Sequence, residues 1–228
     1  MGRMRVVVWP PDRITPEMAH QAYLAGLDRV PWPCRIQWNQ GELVIERSVS
    51  DSANLYIPWP VEGVGVLMVG TATLREREEP YHLPLELARG KLGQVRNQLG
   101  EWEALGLAAP EELQRLISEA TRQLADAVLA PAGSAESTEA AERALRLAVE
   151  AADRLASCYA EQALSVRRHN HPKLPAWLGV DLGNGVLDEG TGTAILQTFS
   201  AACAPMVWRD IETTEGSYSW DTPDQLIG

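Results

Sequence analysis

The sequence predicts an α+β protein: a small β-rich unit with one short helix, an antiparallel helical bundle, and a βαβ unit. Three observations carry this. Residues 1–80 hold short runs rich in Val, Ile, Trp and Pro, residues 81–167 repeat apolar side chains at alternating steps of four and three, and residues 177–228 read strand, Gly-rich loop, helix, strand. Such patterns belong to half-buried strands, amphipathic helices and parallel strands joined by a crossover. Residues 168–176, polar and proline-bearing, read as the linker.

In the first region, strands are expected at Arg5 to Trp9, Arg35 to Trp38, Glu42 to Arg47, Asn54 to Trp59 and Gly65 to Leu74. Asn39-Gln40-Gly41 reads as a three-residue hairpin loop with its glycine in the left-handed position. Thr15-Pro16-Glu17 can open a helix running through Met18, Ala22 and Leu24 toward Gly26.

Three helical stripes follow. Ala88, Leu92, Val95, Leu99 and Trp102 form the first, and Leu113, Leu116, Ala120, Leu124 and Val128 the second. The second begins after Pro110, with Glu111 and Glu112 where the helix dipole favours negative charge. Leu145, Val149, Ala152, Ala156 and Tyr159 form the third. The connections, Gly106 to Ala109 and Ala130 to Ser137, are short, which favours antiparallel neighbours. These stripes read as core and carry no chemistry.

Beyond the linker, Trp177 to Leu182 reads as a strand, Gly183 to Gly192 as a loop, Thr193 to Ala202 as a helix and Ala204 to Trp208 as a second strand. Gly183-Asn184-Gly185 is only a fragment of a dinucleotide fingerprint. Glu215-Gly216 marks a turn, and Thr222, Pro223 and Gln225 form an N-cap, a first-turn proline and a capping-box partner. The helix they announce has only Gln225 to Gly228 left, so the chain reads as the N-terminal piece of a longer protein.

Composition excludes some function classes. The 31 Asp and Glu against 20 Lys and Arg give a net charge of -11 with no basic cluster, which argues against nucleic acid as a partner. Cys34, Cys158 and Cys203 are too far apart for a zinc motif and read as idle thiols. His169-Asn170-His171 lacks further ligands at metal spacing, so no metal or cofactor is expected. The apolar run before Pro10 is too short for a signal peptide and none approaches a membrane span, so the expected location is the cytoplasm.

Trp208, Glu212, Gly216, Tyr218, Trp220 and Asp224 stand as W-x-x-x-E-x-x-x-G-x-Y-x-W-x-x-x-D. This resembles the segment around the second barrel strand of clan A glycoside hydrolases, most of all family 10, the xylanase family; Leu178 to Asn184 resembles their first strand. The resemblance covers the last fifth of the chain and implies that residues 177–228 are the start of an incomplete (β/α)8 barrel, with residues before Pro175 an accessory region. It implies a polysaccharide or oligosaccharide substrate in the full-length protein, with Trp208 and Asp181 near strand ends as substrate-binding residues. It places the catalytic acid and nucleophile on the fourth and seventh strands, beyond this chain, so no catalytic residue is assigned here. Asp210, Glu212 and Glu215 are the other carboxylates near the site, and Glu212 is expected to fix a turn. Two departures stand out: Ala204-Pro205-Met206-Val207-Trp208 replaces the family's Asn-Glu-x-Lys-Trp run, and Thr213 replaces a proline. Two other readings come from the residues themselves. One is a non-enzymatic carbohydrate- or protein-binding module using exposed Trp9, Trp32, Trp38 and Trp59; the other is a helical bundle that dimerises.

Overall fold

The computed structural model describes residues 2–26, 28–170, 176–183, 185 and 187–227, which form two compact units, Met1–Ser165 and Val166–Gly228. In the first unit, β1 (Gly2–Val7) alternates along its length and buries Met4 and Val6. It runs antiparallel to β5 (Glu42–Arg47), which pairs antiparallel with β4 (Arg35–Asn39). The predicted hairpin is present but tighter than expected. Asn39 pairs directly with Glu42, leaving a two-residue loop in which Gln40 (φ 45°) and Gly41 (φ 100°) both take the positive φ that a type I′ turn requires.

The helix opened by Thr15 is α1 (Pro16–His20), capped by the Thr15 hydroxyl, which accepts the Met18 N–H at 3.3 Å. It stops well short of Gly26, because the chain turns into β2 (Tyr23–Ala25) instead. Strand β2 lies between β3 (Pro31–Trp32) and β6 (Asn54–Val61), and β6 pairs with β7 (Gly65–Gly70). Pro58 and Pro60 sit within β6 without breaking it. Strand β2 covers only Asn54, Leu55 and Tyr56, so beyond Tyr56 that edge needs no N–H donor. Strand β7 ends at Gly70, four residues before the expected Leu74.

A further strand, β8 (Tyr81–His82), joins β1 in parallel and runs straight into helix α2 (Leu83–Ala104). Helices α3 (Glu111–Leu129) and α4 (Ala135–Asn170) follow. Leu92, Ala120 and Ala148 form one packed layer; Val95, Leu113 and Ala151 form the next. Numbers rise along α2 and α4 while they fall along α3, so successive helices are antiparallel as expected. The core does not stop at residue 80: Trp59 of β6, Met4 of β1, Leu87 of α2 and Leu145 of α4 belong to one apolar cluster. Val128 and Tyr159, expected in the stripes, are exposed. Helix α4 continues to Asn170, through the first part of the expected linker; residues 171–175 lie outside the described residues.

The second unit contains β9 (Gly179–Asp181), α5 (Glu189–Thr198) and β10 (Ala201–Cys203), with β9 and β10 paired in parallel. The βαβ order read from the sequence is present, but β10 lies at the end of the expected Thr193–Ala202 helix, and the expected strand Ala204 to Trp208 is not a strand. Asp188 caps α5 by accepting the Thr191 N–H and hydroxyl, and these bonds hold its carboxyl below the usual range. The helix therefore starts inside the expected Gly-rich loop. Two short helices follow, α6 (Trp208–Ile211) and α7 (Asp221–Ile227). The latter begins one residue before Thr222, which therefore lies inside the helix and is not its N-cap. Among the described residues, no helix is long and apolar enough to cross a membrane.

Candidate functional site

The two residues assigned to a sugar subsite lie in the second unit. Asp181 is the last residue of β9, as expected, and is exposed. Its Oδ1 accepts the Gly183 N–H at 2.9 Å, tying it to the turn where Gly183 has φ 65°. Trp208 does not stand at a strand end. Strand β10 stops at Cys203, and Pro205, with no N–H to give a ladder, turns the chain away before Trp208 opens α6. The indole is 60 % exposed and meets Tyr218 edge-on, with ring centroids 5.9 Å apart. No hydrogen bond, ion pair or ring contact among the described residues joins Asp181 to Trp208.

Glu212 has the turn-fixing role expected of it. Its Oε1 accepts the Gly216 N–H at 2.8 Å, and Gly216 takes φ 78° in the turn between Thr214 and Ser217. Asp210 borders a hollow of about 290 Å³ with Met206, Val207 and Pro223. Among the described residues, Asp210 is the one of these carboxylates that lines this hollow, while Asp181 and Glu212 are hydrogen-bonded into turns.

Of the four tryptophans considered as a binding platform in the first unit, Trp9 alone is freely exposed. Trp32 is half-buried beneath the Arg47 guanidinium, 4.3 Å from its ring; Trp38 packs against the core; Trp59 is fully buried. The concave surface lies elsewhere. A cleft of about 860 Å³ opens between β6, β7 and α2, lined by Tyr23, Tyr56, Arg29, Lys91, Gln94 and Asn97 among others. The sequence signal for it was the polar and glycine face of α2, Gly90, Gly93, Gln94 and Asn97, opposite the Ala88, Leu92 and Val95 stripe.

A smaller hollow of about 200 Å³ is lined by Arg77, His82, Glu86 and Arg89. The Thr138 hydroxyl donates to the Ser134 carbonyl at 3.0 Å and lies 3.1 Å from His82 Nε2, and His82 Nδ1 is buried with no hydrogen-bond partner among the described residues. Burial holds the His82 pKa below 6.5. Burial also raises the Glu86 carboxyl above its usual range, against the pull of Arg89 and Arg77; Arg89 lies 2.9 Å away. A histidine held low gives stability that is complete above pH 6.5 and lost as pH falls through its folded value. Glu86, held high, acts in the opposite sense. His82→Gln is therefore expected to lose less stability than the wild type between about pH 7.5 and about pH 5, checked by urea midpoints at each pH.

Among the described residues, no three His, Cys, Asp or Glu side chains gather as a metal site; His169 lies in the last turn of α4, and His171 is outside the described residues. Compared with family models, curated proteins and solved structures, the chain matches none.

Proposed function

We propose that the chain is the N-terminal portion of a xylanase-like glycoside hydrolase, in which residues 177–228 open a (β/α)8 barrel and the first unit is an accessory region. One observation carries the reading. The second unit is a parallel βαβ arrangement whose apolar side chains are uncovered: Leu196 is 83 % exposed, and Ile211, at 4 %, is the one buried hydrophobic among its described residues. Parallel strands are stable with both faces covered, and in a barrel the covering comes from six more strands and their helices. The Glu212 to Gly216 turn supports the same reading, because the resemblance asks for a glutamate and a glycine there.

Hydrolysis needs two carboxyl groups roughly 5 to 10 Å apart across the scissile bond. Asp181 and Glu212 are each committed to a local turn, so the acid and the nucleophile belong to later strands, and Trp208 offers an aromatic face for a sugar ring. The 228-residue chain is expected to release no reducing sugar from β-1,4-xylan, and a version extended through the following reading frame is expected to do so. Hydrolysis by the short chain, or an inactive extended one, would overturn the proposal. In the extended protein, Trp208→Ala is expected to weaken xylo-oligosaccharide binding by about 5- to 10-fold; unchanged affinity removes Trp208 from the subsite. The alternative, a binding module without catalysis, is favoured by the cleft of the first unit.

A further inference from the structure

The cleft between β6, β7 and α2 is built by backbone geometry. Register sets Tyr23 opposite Tyr56 and Tyr56 opposite Gly70, in one row across three strands. The two tyrosine rings stack with centroids 5.1 Å apart and planes within 7°. Gly70 is what lets Tyr56 lean over β7, since a Cβ there would stand 2.7 Å from its ring. Helix α2 is drawn against the end of β7 at Gly90, and its next turns carry Lys91, Gln94, Asn97 and Gln98 along the opening, with Glu101 at the far end.

The charges are the unexplained part. In a chain with net charge -11, Arg29 and Lys91 line the same cleft, and among the described residues neither forms an ion pair with a carboxylate. Lys91 has only the Gln94 amide oxygen, at 3.3 Å. Burial, and then the positive charge of Arg29, hold its pKa below the usual lysine value. Lys91 is half-buried and Arg29 is exposed beside it; the two like charges repel each other, and a bound anion removes that cost.

We propose that this cleft binds a hydroxyl-rich ligand bearing a carboxylate, a uronate-containing oligosaccharide, whose carboxylate is held by Arg29 and Lys91 and whose sugar rings lie along Tyr23, Tyr56 and the amides of α2. Amide and tyrosine side chains suit neutral hydroxyl groups, and a cleft of about 860 Å³ is of the size that takes a small-molecule ligand. The carbohydrate part of the assignment rests on the glycosidase reading; the anionic part does not.

The test is calorimetric titration of the 228-residue chain with four probes: xylotriose carrying one glucuronate branch, unbranched xylotriose, ADP and inorganic phosphate. The branched sugar is expected to bind about tenfold or more tighter than the unbranched one, and Lys91→Gln or Arg29→Gln is expected to cost about tenfold for the branched sugar alone. Arg29 is exposed and Lys91 half-buried, and an unchanged melting temperature shows that each variant is folded. Equal affinity for the two sugars, or variants with unchanged affinity, overturns the proposal. So does tighter binding of ADP or phosphate, or failure of all four probes to bind. These readouts are binding alone, so a missing barrel activity leaves them standing, and failed binding leaves the hydrolysis test unaffected.

Discussion

Gly90→Ala is expected to destabilise the protein by about 3 kcal/mol, although alanine is the better helix former. A Cβ at Gly90 would lie 2.5 Å from Ala72 N and closer still to Thr71 C and Gly70 O. All three are backbone atoms at the end of β7, and none can swing aside as a side-chain tip would. The Ala72 N–H donates to the Glu86 carbonyl at 3.1 Å, one turn earlier in α2, so moving the helix outward breaks that bond as well. Gly93→Ala, three residues along the same helix, has the opposite expected sign. Beyond its own stretch of helix no atom lies within 4 Å of its added Cβ, so the helix-propensity gain of about 0.5 to 1 kcal/mol remains. Urea midpoints of the two variants, followed by helical circular dichroism, separate the effects. A Gly90→Ala midpoint at or above wild type would mean that helix and sheet do not touch there.

The parts of the fold visible in the sequence were those specified locally. The β4–β5 hairpin carries its own alternation and turn glycine, and α1 carries its own cap. Strands β2, β3 and β8 are two or three residues long and exist because distant strands pair with them, so no local pattern announces them. In α4 the period was legible and the phase only in part. Of the expected line, Leu145 is buried and Val149 and Ala152 pack against the core, but Tyr159 is exposed, and the buried line also runs through Ala141, Ala144, Ala148, Ala151, Leu155 and Cys158. Small side chains won because α2, α3 and α4 approach closely in the layers at Ala120, Ala148 and Ala151, leaving bulkier residues on the flanks.

The candidate sites follow the same rule. Asp181 was placed correctly at a strand end because β9 is announced by its own residues. Trp208 was misplaced because Pro205 outweighed the strand propensity of Met206-Val207-Trp208. Only one wall of the cleft, the polar face of α2, was legible; the rest needs Tyr23, Tyr56 and Lys91, distant in sequence, to meet through cross-strand register and the Gly90 contact. Trp59 shows the converse error: it was counted among the exposed tryptophans of a binding module, whereas its flanking prolines lie where β6 has no neighbour on one edge and the indole between them points inward.

That inward indole carries the other large expected effect. Trp59→Ala is expected to cost about 4 to 5 kcal/mol, a quarter or more of the stability of an ordinary domain of about 5 to 15 kcal/mol. The ring is 0 % exposed at the centre of the shared core. Its Nε1–H donates to Glu142 Oε2 at 3.3 Å, the same oxygen that accepts from Arg13 Nη2 at 3.1 Å; Arg13 also donates to the Pro60 carbonyl at 3.0 Å. The indole therefore fills volume between the β6 sheet and α4 and gives the partly buried Glu142 carboxylate one of its two donors. Trp59→Phe keeps much of the volume but removes the donor and leaves a smaller cavity, for an expected loss of about 1 to 3 kcal/mol. The difference between the two variants measures the rest of the cavity, and a Trp59→Ala loss below about 1.5 kcal/mol would show that the indole is not held in the core. Tyr56 points to the opposite face of β6 from Trp59, so the folded Trp59→Phe protein is expected to keep the cleft's ligand affinity unchanged.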